Sequence, residues 1–221
     1  HAISMIAVSD RGSMLDASSV FYMDKIVGGP EAIGVVDIRQ SVAENVRAIA
    51  KAKGKSVAEI QVGVLDRPRH EGLIAEIRAA GAGTRLLLDG DVAGGIDAAS
   101  YDGRLDLCIG TGGSPEGVAT ACAIKALGGL IQTRMAPLDD DEKQRGIDAG
   151  LKFDYVYEAD ELVKGDNTFF VAAGVTDGNL VAGVRRKGPI IRTESIVLRA
   201  RSGTIRRITA DHLVEKWLDE D

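Results

Sequence analysis

Three short segments carry residue types that do chemistry together. Residues 66–69 read Asp-Arg-Pro-Arg, 89–91 read Asp-Gly-Asp, and 110–116 read Gly-Thr-Gly-Gly-Ser-Pro-Glu. Arg67 and Arg69 bring guanidinium groups, whose planar fork matches phosphate oxygens. Asp89, Asp91 and Glu116 are hard oxygen donors, suited to Mg2+ or Mn2+ or to the hydroxyls of a sugar. The glycines at 110, 112 and 113 read as a tight strand-to-helix loop, with Ser114 as N-cap and Pro115 at the first helical position. Such a turn offers backbone N–H groups and a positive helix end to an anion. Glu116, in the first helical turn, would repel that anion unless a cation lay between them. The set therefore points to a phosphorylated polyol handled with a divalent metal.

Each segment also has a plain structural reading. Arg-Pro-Arg suits a solvated turn, Asp-Gly-Asp is ordinary loop composition, and His70 reads as an early-helix surface or cap residue. Two phosphate motifs are excluded on the letters. A P-loop needs Gly-Lys-Ser/Thr, and a dinucleotide fingerprint needs glycine where Pro115 stands. No cysteine nucleophile and no Ser/His/Asp constellation is visible, so no catalytic side chain is assigned.

The elements that must position these residues follow from hydrophobic periodicity. Strands are expected at 60–65, 85–88 and 105–109, each followed by a helix: about 70–80, from 92, and 114–127. This alternation is the pattern of a parallel sheet with helices on its faces, so the fold class is α/β. In a parallel sheet all three segments leave the same carboxyl edge, where open sheets bind ligands. That coincidence is what raises the chemical reading above the plain one. Elsewhere, residues 2–8 read as a buried strand, 20–27 as a second extended segment, and 33–38 as another short strand. Ser41 with Glu44 forms a capping-box signature for a helix ending at Gly54. An acidic run opens a helix over about 139–149. Residues 168–212 are strand-rich, with turns at 177–178 and 202–203, and gather Arg185, Arg186, Arg192, Arg199, Arg201, Arg206 and Arg207. Alternation of these arginines with apolar residues favours a half-exposed sheet face over a nucleic-acid surface.

Composition narrows the classes. The chain has 221 residues, 45% hydrophobic and 27% charged, enough for one large or two small domains. A net charge of −6 and 4% aromatic content argue against a nucleic-acid or membrane-surface binder. Cys108 and Cys122 read as small buried hydrophobes in a reducing compartment, and their spacing is not that of a zinc site. No apolar run spans a membrane and no signal peptide is visible. The chain opens at His1 inside a strand-like pattern, which suggests a fragment or a processed product.

Six motifs, VFYMDKIVGGP, LDRPRH, DGDVAG, GTGGSPEG, GVTDGNL and SGTIRRI, fall between Val20 and Ile208, within a likeness that covers residue 2 to about 212. Through them the chain resembles the class II (GlpX-type) fructose-1,6-bisphosphatases, some of which also act on sedoheptulose bisphosphate. The resemblance implies a sugar-phosphatase fold of alternating helix and sheet layers, shared with the lithium-sensitive phosphatases. This chain would form mainly the carboxy-terminal part, a partial domain over 1–221 with its substrate loops in about 55–130. It also implies hydrolysis of the C1 phosphate with Mg2+ or Mn2+, in gluconeogenesis and in the cytoplasm. The expected partner is a phosphorylated sugar, with no nucleic acid and no membrane, in a homo-oligomer. Carried over by position, Tyr22, Arg67, Pro68, Arg69, Asp89, Gly90, Asp91 and Gly113 are the implied substrate residues, and Glu116 the implied metal ligand. Arg67 stands where some members carry lysine. The family's upstream acidic region, ending in Asp-Pro-x-x-Gly-Thr, has no counterpart in these residues, so the chain as given is expected to lack useful phosphatase activity. The alternatives are a non-catalytic sugar-phosphate-binding module and an inositol-type phosphatase of the same broad fold.

Overall fold

Strands and helices alternate along most of residues 2–88 and 90–218, which the computed structural model describes. In chain order they are β1 (Ile3–Val8), β2 (Tyr22–Gly28), α1 (Val42–Ala52), β3 (Gln61–Leu65), α2 (Glu71–Ala79) and β4 (Gly83–Leu87). Next come α3 (Asp91–Ala99), β5 (Leu107–Gly113), α4 (Ser114–Leu127), β6 (Leu130–Met135), α5 (Asp140–Asp148), β7 (Tyr157–Glu158) and α6 (Ala159–Leu162). The chain continues through β8 (Phe169–Gly174), β9 (Arg185–Lys187), β10 (Ile190–Arg199), β11 (Thr204–Leu213) and α7 (Val214–Leu218). The helix ends obey local chemistry. Ser41 and Glu44 close a reciprocal capping box on α1, and Asp139 accepts the Glu142 N–H at the start of α5.

The central sheet has the order β4-β3-β5-β2-β6-β7. β3 is parallel to both β4 and β5, as the alternation predicts, so these strands share a carboxyl edge. β2 is inserted antiparallel between β5 and β6, which makes the sheet mixed and brings Tyr22 opposite Gly113 on that edge. A second, antiparallel sheet runs β1-β8-β10-β11, with β9 on β10. Between the two sheets lies one core, in which α3 and α4 contribute Ile96, Ala121, Cys122 and Ile124, and the sheets Met23, Val27, Phe170 and Leu198. On the other face of the central sheet, Val62, Val64 and Leu107 pack under Val46 and Ile49 of α1 and Ile74 and Ile77 of α2. The layers are thus sheet, helix, sheet, helix.

Several sequence expectations need correction. β1 alternates half-buried with exposed residues and leaves Ile6 and Val8 in the open, because it edges a sheet with only one face packed. Residues 33–38 form turns instead of a strand; Val35 and Val36 donate back to Ala32 O after a short 3-10 turn, Pro30–Ala32. The glycines at 110, 112 and 113 are not a loop. β2 pairs with β5 through all of them, so the strand runs to Gly113, which is the N-cap of α4, and Ser114 is already helical. The arginines after residue 184 include pairs with cross-strand carboxylates, Arg192 holding Asp211 through two 2.7 Å bonds.

Candidate functional site

At the carboxyl edge of the central sheet a cleft of about 530 Å3 opens between the end of β3, the start of α3 and the β5–α4 junction. Tyr22, Arg67, Arg69, Gly90, Asp91, Gly113 and Glu116 all line it, joined by Phe21 and Pro115. Pro68 stands outside this wall, at the first position of the 3-10 turn Pro68–His70, where its fixed φ sets the turn that carries both arginines. Asp89 lies outside the described residues.

The floor of the cleft is a charge cluster. Lys25, on β2, is only 5% exposed; its Nζ donates to Asp91 Oδ2 at 2.5 Å and to Gly113 O at 2.8 Å. It shares an inward face with Met23 and Val27, so burial of its ammonium depends on those two oxygens. Gly112 makes room: a Cβ there would collide with Asp91 Oδ2 and crowd Lys25 Nζ. Asp91 Oδ1 is buried and meets no donor. Beside it stands Glu116, whose carboxyl is held above its ordinary value by burial first and then by the negative charge of Asp91. The Lys25 ammonium and the Gly113 amide oppose that rise without cancelling it.

The rim is built from the arginine turn. Arg69 donates from Nε and Nη2 to Thr111 O at 3.1 and 2.9 Å, and its guanidinium lies 4.9 Å from the centroid of the Tyr22 ring. Tyr22 in turn meets Phe21 edge-on at 4.6 Å. Arg67 donates to Asp66 O at 2.8 Å. His70 is the N-cap of α2, as one half of its sequence reading had it, but it is not on the surface. It is 2% exposed, with Nδ1 2.8 Å from Leu65 O and Nε2 accepting the Thr111 N–H at 2.8 Å. Cys108 and Cys122 are buried and free, and burial pushes their thiols up to about 12 and about 11, far from any nucleophilic role.

Sequence reasoning missed Lys25, Thr111 and the burial of His70. A signal existed for Lys25, a lysine in the inward register of Met23 and Val27. None existed for Thr111, whose role comes from which strand ends beside it.

A divalent cation fits this floor in part. A buried carboxylate oxygen without a donor, next to a second carboxylate resisting ionisation, is relieved by a positive charge between them. Among the described residues, no group of three or more His, Cys, Asp or Glu gathers. Glu116 and Asp91 are thus two ligand-type side chains, and Lys25 already occupies one oxygen of Asp91.

Comparison with known proteins places these features in a family. Residues 1–212 match the family model described as bacterial fructose-1,6-bisphosphatase, glpX-encoded. The chain is 38% identical, over 97% of its length and 68% of the relative's, to fructose-1,6-bisphosphatase class 2 of Haemophilus influenzae. It is 36% identical, over 98% of its length and 68% of the relative's, to fructose-1,6-bisphosphatase 1 class 2 of Escherichia coli strain K12. No helix of the described residues is long and apolar enough to cross a membrane.

Proposed function

Because the chain belongs to the bacterial glpX-type class 2 fructose-1,6-bisphosphatase family, we propose that this protein hydrolyses the C1 phosphate of fructose 1,6-bisphosphate with Mg2+ or Mn2+. The observation that carries the proposal is the convergence on one cleft of two arginines and the Lys25–Asp91–Glu116 cluster. Cations at the rim and carboxylates at the floor suit a substrate with a phosphate at each end and hydroxyls between.

In this reading Arg67 and Arg69 hold the phosphate that is not cleaved, on the turn that Pro68 shapes. Asp91, aimed by Lys25, and Asp89 orient sugar hydroxyls, and the Tyr22 ring backs Arg69. Gly90 and Gly113 let the backbone approach the sugar. Glu116 would hold the metal, which when bound would supply positive charge to the phosphoryl group being transferred to water. The cleft's own groups thus bind and orient. Sedoheptulose 1,7-bisphosphate, with the same terminal phosphates, is a second substrate of the same reading, as are a place in gluconeogenesis, the cytoplasm and a homo-oligomeric state.

The test is phosphate release from fructose 1,6-bisphosphate with Mg2+ or Mn2+ by a chain that also carries the family's upstream acidic region, beside calorimetric binding of the same sugar. Metal-dependent release is the expected result. A second reading, a sugar-phosphate-binding module, is favoured by the gathering of only two carboxylates among the described residues. Tight binding with no release under either ion would select it and overturn the first. Turnover of inositol phosphates but not of fructose 1,6-bisphosphate would overturn both.

A further inference from the structure

β5 outruns its neighbour. β3 pairs with it at Val62↔Leu107 and Gly63↔Cys108, while β5 continues to Gly113. Past Cys108 β3 no longer pairs with the edge of β5 that faces it, so the backbone groups on that edge need other partners. Thr111 finds them in two side chains of one turn. Its N–H donates to His70 Nε2 at 2.8 Å, and its C=O accepts from Arg69 Nε and Nη2 at 3.1 and 2.9 Å. An imidazole and a guanidinium thus stand where the next strand would be.

His70 is itself pinned at both ends. With Nε2 accepting from Thr111, the ring proton sits on Nδ1 and is donated to Leu65 O, at the last residue of β3. Gly110 leaves the ring its space: it sits at φ 155°, and a Cβ there would lie 3.1 Å from His70 Nε2. Thr111 is steadied on its other side by its Oγ1, which donates to Asp24 Oδ1 at 2.7 Å.

We propose that His70 is a positioning residue for substrate binding: wedged between the ends of β3 and β5, it fixes the Thr111 peptide that tethers Arg69. The proposal rests on the reading of Arg69 as the grip on a phosphate. A guanidinium has five N–H groups. Thr111 takes two along the Nε–Nη2 edge, and Tyr22 covers one face. What remains for the cleft is the end of the fork, Nη1 with the second Nη2 proton. Arg69 is exposed, and an untethered exposed arginine would sample many rotamers. Held in advance, it loses less freedom when phosphate arrives. A phosphate met end-on by a fixed guanidinium is also selected by position, not only by charge.

The test is a double-mutant cycle between His70→Phe and Arg69→Ala in the chain that carries the upstream acidic region, read as KM, kcat and calorimetric affinity for fructose 1,6-bisphosphate. His70→Phe keeps a ring but loses both nitrogens. We expect it to raise KM about tenfold, the equivalent of one hydrogen bond, with kcat within about twofold. In the Arg69→Ala background the same change should add less than about twofold. His70→Gln, which retains a donor and an acceptor, should restore most of the affinity. His70→Asn, polar but too short to reach Thr111, runs through the same cycle with the expectation for His70→Phe. Equal weakening in both backgrounds, or a fall in kcat at unchanged KM, overturns the proposal. A ligand-free readout separates this from the substrate assignment: the Arg69 Nε–H resonance in 15N-edited NMR. His70→Phe or His70→Asn should shift and broaden it even if the sugar bisphosphate fails to bind. An unaltered resonance removes the tether whatever the substrate.

Discussion

Glu116 meets opposing demands. At the first turn of α4 a carboxylate is favoured by the helix dipole and accepts from the Gly113 amide, a gain of about 0.3–1 kcal/mol. Burial and the charge of Asp91 work the other way and win, since its carboxyl is held above the ordinary value. Glu116→Gln keeps the size and an acceptor oxygen but removes the contested charge, so the metal-free protein should change in stability by less than about 1 kcal/mol. If Glu116 ligates metal, the substitution should cut kcat steeply, excess Mn2+ should recover part of it, and the metal-induced rise in melting temperature should shrink. Full activity at low metal in a variant with an unchanged metal response would take Glu116 out of the site. Lys25 is the other half of the balance. Lys25→Met would leave Asp91 buried without its ammonium, a loss of about 3–5 kcal/mol in urea denaturation. Adding Asp91→Asn should recover a good part of that loss. Strictly additive costs for the two changes would mean that the 2.5 Å pair does not matter to stability.

Among the elements, what was legible in the sequence was what is local. Ser41 and Glu44 announce α1 because a capping box is completed within four residues. The β3–α2–β4 alternation announces parallel strands because each crossover is short. β5 was misread because its partner is remote: the glycines look like a turn until Tyr22–Gly28, almost ninety residues upstream, is laid against them. The same holds for the site. Its arginines and carboxylates were legible as types in three segments, and Lys25 as a lysine in an inward register, whereas Thr111 and His70 acquire their roles only from what the fold lays beside them. Gly112 makes the point testable. Gly112→Ala has no turn to break but pushes a Cβ into Asp91 and Lys25, so it should weaken sugar-phosphate binding more than it lowers the melting temperature. Asp106, just ahead of β5, ties α1 to the sheet. It accepts from Lys53 at 2.9 Å, from Lys55 at 2.7 Å and from the Gln61 N–H at 2.9 Å. Burial works against its charge, but the Lys55 ammonium, the Gln61 amide and the Lys53 ammonium outweigh that and hold its carboxyl below the ordinary value. A carboxyl lowered on folding contributes stability that is present above its unfolded pKa, about 3.9, and lost as pH falls through the folded value. Asp106→Asn should therefore destabilise by about 3 kcal/mol at pH 7, and the gap to the parent should close below about pH 4. A gap that stays constant down to pH 3 would show that shape, not charge, is what Asp106 supplies.

At the scale of the molecule, α4 is the joint. It lies between the two sheets, and most of its residues are buried, Gly117, Thr120, Ala121, Cys122, Ala123 and Ile124 among them. Its small side chains let both sheets approach it; the helix itself was expected over 114–127, but its place between two sheets was not. The second sheet was equally hard to foresee as a whole. β1 pairs with β8 in the register Ile3↔Gly174, a closure across about three quarters of the chain that no local pattern encodes. The site depends on this joint, because the N-terminus of α4 carries Glu116 while its flanks pack against α3 and on β8 and β10. Ile124 is fully buried in that core. Ile124→Ala would open a cavity there at a cost of about 2–5 kcal/mol, and for a chain of this size each kcal/mol corresponds to roughly 2–4 °C in melting temperature. If α4 couples the layers, hydrogen-exchange protection should fall together at Ile131 in the central sheet and at Phe170 in the second, with one thermal transition. Glu116→Gln, which leaves the core intact, should leave both protections unchanged. Separate transitions, or protection lost at Phe170 alone, would mean that the two sheets are stabilised independently and that the cleft is held by the central sheet without help from the second.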